Sequence, residues 1–154
     1  MKTIPVVACA TSRLHADVIM IRLRRIGIDK DRISALCNRR YIPNAISCWL
    51  RRGEYLPFRI RDDALLAAGM LFTGEHNPLE AASIQEVLEE VGVDPAQARS
   101  IEESLRQGNI VLCVHAANEA QAALAWHVFV QAKAEKITLS DELLENEAAA
   151  LVPA

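Results

Sequence analysis

The chain predicts a mixed α/β (α+β) fold in which one β-α-β unit occurs twice, on either side of a long insert. Three observations carry this. "TIPVVACA" and "RISALCN" are apolar runs that flank a stretch with helical apolar spacing. Between Gly108 and Ser140, "NIVLCVHA", "EAQAALAWHVFVQAKA" and "KITLS" repeat the same plan of strand, helix and strand. The length of 154 residues corresponds to about one domain and suffices to bury a core.

Taken in order, Thr3–Ala10 is the first strand. Ser12 is placed to cap the following helix. "RLHADVIMIRLRRIG" carries Leu14, Val18, Ile21 and Ile26 at helical spacing, and Gly27 ends it as a C′ residue. Arg32–Asn38 closes the first unit, 3–38. The insert, 39–107, opens with the irregular "RRYIPNAISCWLRRGEYLPFRIR" and continues with a short helix, "DDALLAAGMLF", ending near Gly74. Two helices with strong start signals follow. Asn77-Pro78-Leu79-Glu80 opens "PLEAASIQEVLEEV", and Asp94-Pro95-Ala96-Gln97 opens "PAQARSIEESLRQ", which Gly108 closes. In the second unit, 108–140, Asn118 and Gln121 have the spacing of a capping box. The tail, 141–154, begins as a helix and frays.

Sliding Ser12 onto Asn118 brings Ile4, Val6 and Ala8 onto Ile110, Leu112 and Val114. The repeat is one of pattern rather than of residues. Two such halves predict a ferredoxin-like split β-α-β sandwich, with a four-stranded antiparallel sheet, two helices on one face and a helical insert. The first and third strands are expected side by side and parallel at its centre. Alternation then sends Ile4, Val6, Ala8, Ile110, Leu112 and Val114 toward the helices. It sends Pro5, Val7, Cys9, Val111, Cys113 and His115 to the other, open face. That face is too apolar to leave in water. The insert or a second subunit must cover it, and a homodimer with insert helices contributing to the cover is the expectation.

Cys9, Cys113 and His115 are therefore the candidate thiol or metal residues, either as soft ligands for zinc or copper or as a thiolate activated by histidine. The alternative is plain packing, because a buried cysteine behaves as a small hydrophobe. Packing is favoured, since no fourth ligand or acidic partner is visible. No cofactor and no resident metal is expected.

A second candidate is anion binding by Arg39, Arg40, Arg51, Arg52, Arg59 and Arg61, interleaved with Tyr41, Trp49, Tyr55 and Phe58. Arginine with aromatic groups can grip phosphate and stack bases. The alternative is a loop whose arginines pair with the acidic helices while its aromatics pack down. Trp126, with Val130 one turn on, reads as core, and His127 faces outward. His15 and His76 lie at helix starts and suggest no chemistry. Glu89-Glu90 and Glu102-Glu103 read as solvated faces, because adjacent helical residues point apart.

The totals narrow the function classes. The net charge of −3 gives no global field toward nucleic acid or anionic membrane. None of the four cysteines forms a C-x-x-C pair or a zinc spacing. No apolar run approaches the roughly 20 residues that span a bilayer, and "MKTIPVVACATS" reads as a strand rather than a secretory leader. A cytoplasmic protein with reduced thiols is expected.

The stretch "VDPAQARSIEESLRQGNIVLCVHAANEAQAALA" resembles the distal half of bacterial general stress (heat-induced stress) proteins. The matching positions are Gly92-Val93, Ala98, Ile101-Glu102, Leu105, Gly108, Ile110-Val111-Leu112 and Val114. The strand-to-helix start and the "GI" before "ISALC" fit as well, so about half of the chain is covered. Many relatives carry a glycine- and alanine-rich hairpin between the halves. Here a polar, arginine-containing insert stands in its place, so a function tied to that hairpin does not transfer. The resemblance implies a non-enzymatic, stress-associated ferredoxin-like domain that interacts or senses, and it supplies no catalytic residues.

Overall fold

A computed structural model describes residues 4–38, 40–54, 56–60, 64–68, 84–91 and 93–139. The elements run β1 (Ile4–Ala10), α1 (Arg13–Arg25), a 3-10 turn (Lys30–Arg32), β2 (Ile33–Asn38), α2 (Asn44–Arg51), β3 (Leu56–Ile60), β4 (Ala64–Ala68), α3 (Ile84–Val91), α4 (Pro95–Arg106), β5 (Ile110–Ala116), α5 (Glu119–Gln131) and β6 (Glu135–Thr138). The strands form one sheet in the order β3-β4-β2-β5-β1-β6. All of its neighbours are antiparallel.

The four strands of the two β-α-β units, β6-β1-β5-β2, make an antiparallel core sheet. β1 and β5 are adjacent at its centre but antiparallel, with Val6 opposite Val114 and Ala8 opposite Leu112. The expected parallel pairing is wrong for a geometric reason. The α1 crossover returns β2 in the same direction as β1, with a gap one strand wide. β5 fills that gap and must run opposite to both to form antiparallel ladders.

The insert lengthens the sheet instead of staying helical. Ala64–Ala68, expected in a short helix, is a strand that pairs with β2 from Ser34↔Ala68 to Asn38↔Ala64. β3, expected to be irregular, pairs with β4 in turn. Alanine and leucine are strong helix formers, but the propensity scale spans only about 0.7 kcal/mol per residue, and the unpaired edge of β2 offers a row of backbone partners that outweighs it. The starts expected at Asn77 and the end near Gly74 lie outside the described residues, as does the tail 141–154.

Local signals set the helix ends. The Ser12 hydroxyl accepts from the His15 amide, and the Asn118 side chain accepts from the Gln121 amide at 2.8 Å. Gln121 in turn accepts from the Ala117 amide at 2.8 Å. The Asp94 carboxylate accepts from Ala96 and Gln97 ahead of α4. α1 ends with the Ile28 amide bonded to the Leu23 carbonyl and the Gly27 amide to the Arg24 carbonyl. This arrangement needs a left-handed residue, and Gly27 supplies it at φ +94°.

The inner stripe of α1 is Ala16, Ile19, Met20 and Leu23, and Ile28, beyond the Gly27 turn, is buried in the same core. Leu14, Val18, Ile21 and Ile26, the apolar set singled out in the sequence, are exposed. Both sets have helical spacing, and only the tertiary contacts distinguish them.

Each face of the sheet has its own core. On one side Val6, Ala8, Ile110, Leu112 and Val114 meet Ile19, Met20 and Leu23 of α1, Ile46 and Trp49 of α2, and Ala122, Ala125 and Phe129 of α5. On the other, Val7, Cys9, Leu36, Val111 and Cys113 meet Ile84 and Leu88 of α3, Val93, and Ala98, Ile101 and Leu105 of α4. The face expected to be open is therefore covered by the insert of the same chain, which removes the reason for a subunit to cover it. Trp126 is only partly buried and Val130 is exposed, so that pair belongs to the rim of the core.

Ile101 is fully buried against the second face. Ile101→Ala is expected to cost about 2–5 kcal/mol in urea unfolding, and Asn118→Ala about 1 kcal/mol. An Ile101→Ala cost near zero would mean that α4 does not seal the sheet.

Candidate functional site

The structure brings only part of the first candidate together. Cys113 and His115 lie on one face of β5, with Sγ and Nδ1 4.0 Å apart. Across the ladder, Ser34 of β2 is the direct partner of Cys113. Its hydroxyl sits 2.9 Å from His115 Nε2. A hydroxyl and a thiol can each donate or accept, so either histidine tautomer is accommodated. Arg32 also donates to the His115 carbonyl at 3.1 Å. Cys9 does not join them, since its partner across the ladder is Val111. Among the described residues no three His, Cys, Asp or Glu side chains gather as they would around a metal ion. The three-ligand arrangement of Cys9, Cys113 and His115 is thus not formed.

Burial determines what the pair can do. Ser34, Cys113 and His115 are all buried beneath the insert helices. Desolvation pushes the Cys113 thiol up to about 12, although the Ser34 hydroxyl partly opposes the shift. Cys37 rises to about 12 for the same reason. Cys9 rises to about 11, with burial outweighing the nearby Lys136 and the Ser104 hydroxyl. Near neutral pH these sulfurs are thiols, which are poor nucleophiles and poor metal ligands. Ser34 and Ser104, the polar partners that hold the sulfurs, carry no sequence signal beyond falling on inward positions.

The second candidate is distributed differently from its sequence order. Arg39 and Arg61 lie outside the described residues, and only the backbone of Arg59, in β3, is described. Arg40, Arg51 and Arg52 are exposed. The structure adds Arg22, Arg24 and Arg25 from the last turn of α1. Asp17 of α1 accepts from the Asn44 and Ala45 amides at the start of α2, at 3.3 and 3.0 Å. Further along, the Arg24 guanidinium lies 5.6 Å over the Trp49 ring. The two helices therefore run side by side in the same direction. Their last turns gather Arg22, Arg24, Arg25, Arg51 and Arg52 at one end, where Lys30 and Glu54 form an ion pair just beyond the helices.

Of those five arginines, Arg52 alone has an ion pair among the described residues, 3.8 Å from Glu54. Two helix C-termini account for part of this clustering, because their dipoles favour cations. Of the aromatic half of the sequence pattern, Trp49 is buried and Tyr41 exposed, while Tyr55 and the Phe58 side chain lie outside the described residues. The "RLRR" run was the available signal for the α1 arginines, but its meeting with α2 is a tertiary fact.

The raised thiols set a pH dependence. Their folded values exceed the unfolded value near 9. Their contribution to stability is thus complete below pH 9. Above it the unfolded chain loses protons that the fold retains, and stability falls until pH passes about 11–12. Each thiol contributes a loss of up to about 1.4 kcal/mol per pH unit in that window. Urea unfolding between pH 8 and 10.5 should show a shallower decline for Cys113→Ala than for the parent, and equal slopes would show that Cys113 is not sealed. No protein-family model, curated protein or solved structure matches the chain.

Proposed function

We propose that this protein is a non-enzymatic anion-binding domain whose binding surface is the arginine-rich end shared by α1 and α2. One observation carries the reading: five arginines from two helices converge there, and four of them have no ion pair among the described residues. The interior supports it from the opposite direction. The Cys9 and Cys113 thiols are buried with residues of α3 and α4, where desolvation keeps them protonated near neutral pH. A ferredoxin-like core is part of this reading, supported by the antiparallel arrangement of β6-β1-β5-β2 and by a helix between the two strands of each β-α-β unit. A stress-associated role is what the resemblance of Ala98, Ile101, Glu102, Leu105 and Gly108 to the general stress proteins implies, and a cytoplasmic setting is in keeping with four cysteines that form no disulfide. No helix among the described residues is long and apolar enough to cross a membrane.

Tripolyphosphate tests the surface by charge alone. Calorimetry at low salt is expected to show binding that weakens as ionic strength rises, since exposed charges are screened over about 8–10 Å. Arg51→Ala/Arg52→Ala should weaken it severalfold. No binding at low salt would sink the proposal.

A further inference from the structure

We propose that the groove between α1 and α2 binds a small monoanion with an apolar body, an alkyl or aryl carboxylate. The inference rests on the anion-binding reading and gives it a substrate class. The groove has a volume of about 400 Å³. That falls in the range of roughly 300–1,000 Å³ typical of small-molecule sites. Its walls are Met20 and Ile21 from α1 and Ala45, Cys48 and Trp49 from α2, and the two charged groups that line it are Arg24 and Arg25. Among the described residues no acidic side chain lines it.

The groove is preformed. Asp17 fixes the start of α2 through two backbone amides, and Arg24 over Trp49 fixes its last turn. Met20 and Trp49 are buried in the core, so the floor is rigid. Ile21, by contrast, is 51% exposed, leaving apolar area for a ligand to cover. The Arg24 guanidinium lies over the Trp49 ring and has no ion pair among the described residues, so its N–H donors remain available to a ligand. Arg25 has no ion pair among the described residues. Two such groups beside an apolar trough match a carboxylate on a hydrocarbon body, because a guanidinium fork accepts both carboxylate oxygens. The size argues against a protein occupant: among the described residues seven line the groove, whereas a stable interface engages roughly 20–30 residues a side.

The test uses the full chain with Trp126→Phe, which leaves Trp49 as its fluorophore, since the sequence has two tryptophans. Octanoate and 4-phenylbutyrate are titrated while Trp49 emission is followed, with octanol as the uncharged control. The expected result is saturable binding of at least one carboxylate. Octanol should bind about tenfold or more weakly. Arg24→Gln/Arg25→Gln and the groove-filling Cys48→Phe should each weaken the carboxylate about tenfold, in variants whose urea transition confirms folding. Preference for octanoate indicates a flexible chain, and preference for 4-phenylbutyrate a ring; either supports the site. Absence of saturation to about 10 mM, or equal affinity for octanol, overturns it. If tripolyphosphate binds the same protein while neither carboxylate does, the groove proposal fails and the arginine surface stands. If none of the three binds, both fail.

Discussion

The burial of β5 constrains everything else. All seven residues from Ile110 to Ala116 are buried, on both sides of the pleat. A strand in an antiparallel sheet usually leaves one face to water and alternates accordingly. This one cannot, so two independent covers are required. α1, α2 and α5 supply one, and α3 with α4 supplies the other. The insert is thus an obligatory third layer of the domain.

That layering assigns the reactive and the accessible groups to different places. Cys9, Cys113, His115 and Ser34 occupy the sheet face under α3 and α4, where desolvation keeps the sulfurs protonated. The hydrogen bond between Ser34 and His115 crosses the β2–β5 ladder and satisfies a polar pair that would otherwise be costly to bury. The opposite side of the molecule carries the exposed arginines and the apolar groove, because α2 packs beside α1 instead of over the sheet's edge. Asp17 makes that packing specific: a helix-surface carboxylate that caps its neighbour fixes where the two last turns meet.

Much of this was legible in residues. The caps at Ser12, Asp94 and Asn118 and the stops at Gly27 and Gly108 act through bonds within a few positions, so sequence displays them. Alternation along β1 and β5 likewise identified the two sets of inward residues. What sequence could not show depends on partners far along the chain. Ala64–Ala68 reads as helix until β2 offers an edge. Leu14, Val18 and Ile21 have the same spacing as the true inner stripe, and packing against β1, β5 and α5 separates them. Cys9 and Cys113 share a face, yet the register pairs Cys9 with Val111 and Cys113 with Val7, so they are diagonal rather than direct neighbours. The arginine cluster was sought within the insert, but three of its five members come from α1.

The central claim is that the α3–α4 layer closes the sheet as tightly as the first layer does. The most direct measurement is the rate at which a small methanethiosulfonate reagent modifies Cys113, compared with the global unfolding free energy under the same conditions. The account predicts that Cys113 is modified only through global unfolding, so that its protection equals the unfolding equilibrium constant and falls with urea along the same slope. Modification orders of magnitude faster than that, and insensitive to urea, would show α3 and α4 opening on their own and would contradict it.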